Sequence, residues 1–204
     1  KGFDLGVKEV SVGETFDDNI TFDKKDKQED FITYAGIVLG AQYVGKTRTF
    51  ELTGKITDQI FAFYFEQNNV TQFINLNFKN EFSKRDRIIL TNVFTHFEAP
   101  ESSDSDPEGG YFSQQFGRTG GRFEFFRNQF NITYSNDISK QLSFIVNYAN
   151  EINVFSGTDR DNSILHKPGL GLSYLFSPTA TIFSFSYTFT SIQFEDDTDA
   201  RINT

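Results

Sequence analysis

Residues 181–190 read Thr181-Ile182-Phe183-Ser184-Phe185-Ser186-Tyr187-Thr188-Phe189-Thr190. Aromatic side chains fall at every second position and alternate with hydroxyl side chains. In an extended backbone successive side chains project to opposite faces, so the segment predicts a β-strand with one aromatic face and one hydroxylated face. No helical period competes with it.

The same sorting extends outward from this segment. Leu170, Leu172, Tyr174 and Phe176 oppose Gly169, Gly171 and Ser173, while Leu142, Phe144, Val146 and Tyr148 oppose Ser143, Asn147 and Ala149, with Ile145 the exception. Phe126, Phe130, Ile132 and Tyr134 oppose Arg127, Gln129, Asn131, Thr133 and Ser135, with Asn128 out of place. Farther upstream, Phe50, Leu52, Ile56 and Ile60 oppose Glu51, Thr53, Lys55 and Gln59, with Asp58 a misfit. Val70, Ile74, Leu76 and Phe78 oppose Thr71, Asn75, Asn77 and Lys79, with Gln72 and Phe73 each on the wrong face. Ala35 to Tyr43 alternates more softly, the phase slips near Lys8 in Val7–Phe22, and Ile88-Ile89-Leu90 interrupts Arg87–Phe97. About nine strands result, each near or above the ~9–11 residues that cross a bilayer when tilted.

Composition narrows where such strands can live. The chain has 204 residues with 26 Phe and 8 Tyr, yet a mean hydropathy of -0.42. So many rings among so few aliphatics call for an apolar environment other than one buried core. No stretch approaches the ~18 apolar residues of a membrane helix, so a membrane location would use strands. Cys is absent, which excludes disulfides and thiolate metal sites; Met is absent too, and the expectation is a processed or partial product. A net charge of -9 disfavours nucleic acid.

Connections alternate in length. Short turns are expected at Val44-Gly45-Lys46, Ser83-Lys84-Arg85, Asn136-Asp137-Ile138 and Ser177-Pro178-Thr179, and longer polar loops at 23–30, 66–69, 100–121, 156–162 and from Glu195 onward. Outer-membrane barrels show this asymmetry between their two ends. Tyr43, Tyr64, Phe82, Tyr134, Phe155, Phe176 and Phe194 lie close to turns or loops and read as interfacial girdle residues. The expected fold is one all-β domain over 1–204, an antiparallel up-and-down transmembrane β-barrel. Bacterial barrels close with an even strand number, so nine strands and a polar tail at Arg201-Ile202-Asn203-Thr204 lead to the expectation of a larger barrel whose closing strand is absent.

Val10-Ser11-Val12-Gly13-Glu14-Thr15-Phe16-Asp17-Asp18-Asn19-Ile20-Thr21-Phe22, followed by Glu29-Asp30-Phe31-Ile32-Thr33, resembles the first hairpin of the outer-membrane β-barrel porin family, in particular the group found beside exopolysaccharide export genes. The likeness covers about the first 45 residues. It implies a larger barrel in the bacterial outer membrane with a transport or secretion role, and it carries over no catalytic residues.

Glu51, Lys55, Asn75, Asn77, Lys79, Arg127, Gln129, Asn131 and Glu151 are the expected lumen-facing side chains; their mixed signs suit polar solutes better than a charge-selective pore. Leu142, Phe144, Val146, Leu172, Tyr174, Phe183, Phe185, Tyr187 and Phe189 are the expected lipid-facing ones. His96 and His166 are the only histidines, and no local motif pairs either with a nucleophile, so no enzyme, cofactor or metal is expected. Asp104, Asp106, Glu108, Asp196, Asp197 and Asp199 are hard oxygen ligands for Ca²⁺ but match no EF-hand spacing. Asn-X-Ser/Thr at Asn19, Asn69 and Asn131 would mean surface glycosylation only in a secreted eukaryotic protein. Outer-membrane lipid and lipopolysaccharide are the expected partners. A structural subunit of an oligomer or larger surface or filamentous assembly is the alternative, and a soluble β-sandwich or calyx the third reading.

Overall fold

Backbone N–H and C=O groups need partners, and the alternating segments supply them to one another edge to edge. A computed structural model describes residues 2–20, 27–100, 122–156, 161–176 and 181–195. They form one antiparallel sheet of ten strands: β1 (Gly2–Asp17), β2 (Asp30–Val44), β3 (Arg48–Phe61), β4 (Asn69–Glu81), β5 (Asp86–Pro100), β6 (Arg122–Asp137), β7 (Leu142–Ser156), β8 (Asn162–Leu175), β9 (Ile182–Thr188) and β10 (Ser191–Glu195). Through β8 each strand pairs with the next in chain order, and β9 and β10 both pair with β8. The sheet is open, since no ladder joins β1 to β9 or β10. Among the described residues the one helical element is a 3-10 turn, Phe65–Gln67, and no helix is long and apolar enough to cross a membrane.

Ten strands occupy nine positions because the last two are collinear. Gly169 faces Thr188 and, three residues on, His166 faces Ser191, so the register runs through the gap unchanged. Between them stands Pro168, whose carbonyl accepts from the Phe189 N–H at 3.0 Å but which has no N–H to return. One proline thus divides a single strand.

The phase slip at Lys8 is a β-bulge. Val7 faces Leu39 and Glu9 faces Val38, leaving Lys8 as the extra residue. Its stem lies over Gly40, where a Cβ would come within 2.6 Å of the Lys8 Cε, and its ammonium meets Asp4 at 2.5 Å. The turn expected at Asn136-Asp137-Ile138 sits two residues later. Asn136 and Asp137 still pair with Phe144 and Ser143, and the reversal is closed by Ser139, whose N–H donates to the Leu142 carbonyl and whose Oγ accepts from the Gln141 and Leu142 amides. The Ser177-Pro178-Thr179 turn lies outside the described residues.

Strand ends are staggered in one direction across the sheet. Following one rung, Thr49, Ile89, Asn147 and Thr188 stand one, three, five and six residues in from the starts of β3, β5, β7 and β9. The shift is about one residue per strand; with ~3.3 Å rise and ~4.8 Å strand spacing it inclines the line of turns about 35° to the rungs.

The apolar core is small and lies at the loop end of β2 and β3. Ile20, Ile32 and Phe61 are buried, with Tyr34 and Tyr64 packed on them. Asp30 is the pin. Fully buried, its carboxylate accepts from the backbone N–H groups of Ala62 at 3.1 Å, Phe63 at 3.1 Å and Tyr64 at 2.9 Å, tying the β3–β4 connection back onto the sheet. Asp30→Ala would leave these partly buried donors without their acceptor and is expected to cost about 3 kcal/mol. Thermal melts should show the loss, and hydrogen exchange should accelerate at the amides of 62–64; Asp30→Asn, which keeps one carbonyl oxygen, should cost less.

Candidate functional site

Residues directly opposed in an antiparallel ladder project from the same face, so the registers assign faces across the whole sheet. Glu51 faces Asn77, Asn77 faces Thr91, Thr91 faces Asn131 and Asn131 faces Ala149. Lys55, Asn75, Lys79, Arg127, Gln129 and Glu151 alternate in step with them. All nine expected lumen residues therefore share one polar face. Leu142, Tyr174 and Phe183 form one rung of the other face, and Phe144, Leu172 and Phe185 the next. Val146 and Tyr187 both oppose Leu170, and Phe189 follows in phase, so the expected lipid residues share the apolar face.

Each misfit in the alternation has a place. Gln72 and His96 face each other on the apolar face; Asn128 is there too, its Oδ1 accepting from Asn92 Nδ2 at 3.0 Å. The apolar face is otherwise uncovered, with Phe183 62%, Phe185 52% and Tyr187 60% exposed. From the turns toward the loops, its first polar residue beyond the turn region is Glu14 on β1, Thr33 on β2, Asp58 on β3 and Gln72 on β4. It is then Asn92 on β5, Asn128 on β6, Asn150 on β7, His166 on β8 and Ser191 on β10. From β1 to β5 this boundary steps across the rungs in the same direction as the line of turns, and from β5 to β10 it follows one rung, on which Asn92, Asn150, His166 and Ser191 lie. At the turn end a second polar margin holds Arg48, whose Nε donates to Asn80 at 3.1 Å, and Asp86, which accepts from Ser83, Tyr134 and Asn136.

On the polar face two ion pairs join neighbouring lumen residues or their rung partners. Lys79 meets Glu81 at 2.8 Å, and Arg127 meets Glu151 at 3.2 Å, with side chains only 14% and 18% exposed. Glu151 is a hub, accepting also from Gln129 at 3.1 Å and Asn153 at 3.0 Å; Asn153 in turn donates to Ser163 at 3.2 Å.

The two histidines stand apart on β5 and β8. His96 Nε2 lies 2.9 Å from Glu124 and its ring stacks on Phe126, while His166 Nδ1 contacts the Tyr148 hydroxyl at 2.7 Å and the Asn150 amide at 3.3 Å. Among the described residues no group of three or more acids or histidines is placed to hold a metal ion. Asp104, Asp106, Glu108, Asp196, Asp197 and Asp199 lie outside them.

Three aromatics expected at an apolar girdle are elsewhere. Phe155 faces Phe125, and Phe194 faces Ser163, both on the polar face, while Tyr64 packs against the Ile20 core. Strand parity overrides position, because Phe155 is one residue out of phase with the apolar Val154. Tyr43 and Tyr134 do lie at the turn end of the apolar face, and Phe82 and Phe176 are exposed in turns.

A double-mutant cycle on Arg127→Met and Glu151→Met should return a coupling of about 1–3 kcal/mol in chemical denaturation, since either single change strands a mostly buried charge. The chain matches no protein-family model, and no curated protein matches it in sequence.

Proposed function

We propose that this sheet is the wall of a bacterial outer-membrane β-barrel. Its apolar face meets lipid, its polar face lines a lumen, and it serves as a passive channel or export-associated porin for polar solutes or polysaccharide. The observation that carries the reading is the one-directional stagger of the turns along a sheet whose apolar face is exposed. A sheet that closes round a membrane-normal axis must tilt its strands by about 35–45°, so the edges of its lipid-facing band run obliquely across the rungs. The line of turns runs obliquely from β3 to β9, and the polar boundary on the loop side runs obliquely in the same direction from β1 to β5.

The loop-side margin, with Glu14, Asp58, Asn150 and His166, then meets headgroups and lipopolysaccharide, and the turn-side margin the periplasmic surface. Resemblance of the first hairpin to the exopolysaccharide-associated porin group fits this orientation. A lining of both signs, in which Lys8, Lys79 and Arg127 each meet an acid, favours weak ion selectivity. The open edges of β1 and β9–β10 favour a second reading, a structural subunit whose sheet continues into neighbouring copies. Native mass spectrometry separates the two: multiples of 23.4 kDa support the assembly, and a single barrel mass the channel.

Phe185→Arg puts a charge on the lipid face and is expected to cost about 2–4 kcal/mol of insertion free energy, whereas Ser186→Arg, on the other face of the same strand, should insert normally. Folding into lipid vesicles, read as the heat-modifiable gel shift, checks both. A chain that stays monomeric and soluble without detergent would refute the reading. In planar bilayers Lys55→Glu should move the reversal potential toward cation preference.

A further inference from the structure

Aromatic rings on the polar face are confined to its loop end. Tyr34 and Phe61 are taken up by the Ile20 core, but Phe73, Phe97, Phe125 and Phe155 are half-buried and span β4 to β7. Phe97, Phe125 and Phe155 share a rung, their ring centroids 5.1 and 4.9 Å apart in sequence. Among the described residues the polar face carries no aromatic side chain from there to the turns.

Directly below this row runs a rung that includes Lys55, Phe73, Thr95, Arg127 and Asn153, and below it Gln129 faces Glu151. A line of apolar ring surfaces thus borders a dense set of planar hydrogen-bonding groups. Water alone does not call for the rings, and an apolar solute does not call for the amides, carboxylate and guanidinium. A pyranose presents both needs, a flat C–H face that stacks on an aromatic ring and an edge of adjacent hydroxyls that planar groups bind in pairs. Charge narrows the class further. Arg127 is neutralised by Glu151, so the groups directly beneath the three rings offer no excess of either sign to a charged sugar.

We propose that Phe97, Phe125 and Phe155, with Arg127, Gln129 and Glu151, form a binding track for a neutral hexose oligosaccharide at the loop-side mouth. The proposal rests on reading the polar face as a lumen wall. Successive sugar rings would stack along the row while their hydroxyls exchange hydrogen bonds with the groups beneath.

The test is calorimetric titration of the full chain in lauryldimethylamine oxide, a detergent without a sugar headgroup, with maltohexaose, mannohexaose and a galactohexaose. Saturable binding of at least one is expected. Phe125→Ala should weaken it about tenfold, the loss of one stacked ring, while Phe125→Tyr should keep it. Phe185→Ala, on the opposite face, should leave it unchanged. The track is overturned if none of the three binds saturably, if polyethylene glycol of equal mass gives the same heats, or if Phe185→Ala weakens binding as much as Phe125→Ala. Binding is read here without reference to conduction, so a pore that fails to conduct and a track that fails to bind give separate results.

Discussion

Period-two parity in an antiparallel ladder governs nearly everything in this molecule. Opposed residues share a face, so one register choice between two strands commits the side chains of both, and the commitment passes from neighbour to neighbour. Eight strand interfaces in succession keep that agreement. A slip by one residue anywhere would turn Phe183, Phe185 and Tyr187 toward the polar side, and the one place among the described strands where an extra residue occurs, Lys8, is handled by a bulge that restores the phase.

Parity explains why so much of the sheet was legible from the chain alone. Face assignment needs only local alternation, which is why Gln72, Phe73, Asn128 and Ile145 could be recognised as exceptions before their partners were known. The slip at Lys8 was visible for the same reason. What escaped depends on contacts distant in sequence or on groups with no period. Asp30 reads as one more acid beside a loop, because three of the amides it binds lie 32 to 34 residues away. The division of the last strand follows from a proline in the strand beside it. Phe155, Phe194 and Tyr64 were misplaced because nearness to a strand end says nothing about which face a ring occupies.

The polar face is less uniform than its composition suggests. Toward the turns, β8 and β9 present the small residues Gly171, Ser173, Ser184 and Ser186, while Gly169 is overlain by the Asn147 side chain. Toward the loops the same face thickens, with Glu151 gathering three donors, and with the Ile20 core closing over β2 and β3. Bulk, aromaticity and fixed polar geometry therefore concentrate at one end, and smoothness at the other.

The bulge at Lys8 has a bearing on what β1 can accept along its open edge. An irregular edge is a poor template: a straight strand that matched Leu5 and Val7 would fall out of phase beyond Lys8, and one that matched Val10 and Val12 would fail before it. Only a strand carrying a compensating irregularity can lie along the full edge. Indiscriminate growth of the sheet by stray extended peptides is discouraged at this border, while a single cognate strand remains admissible.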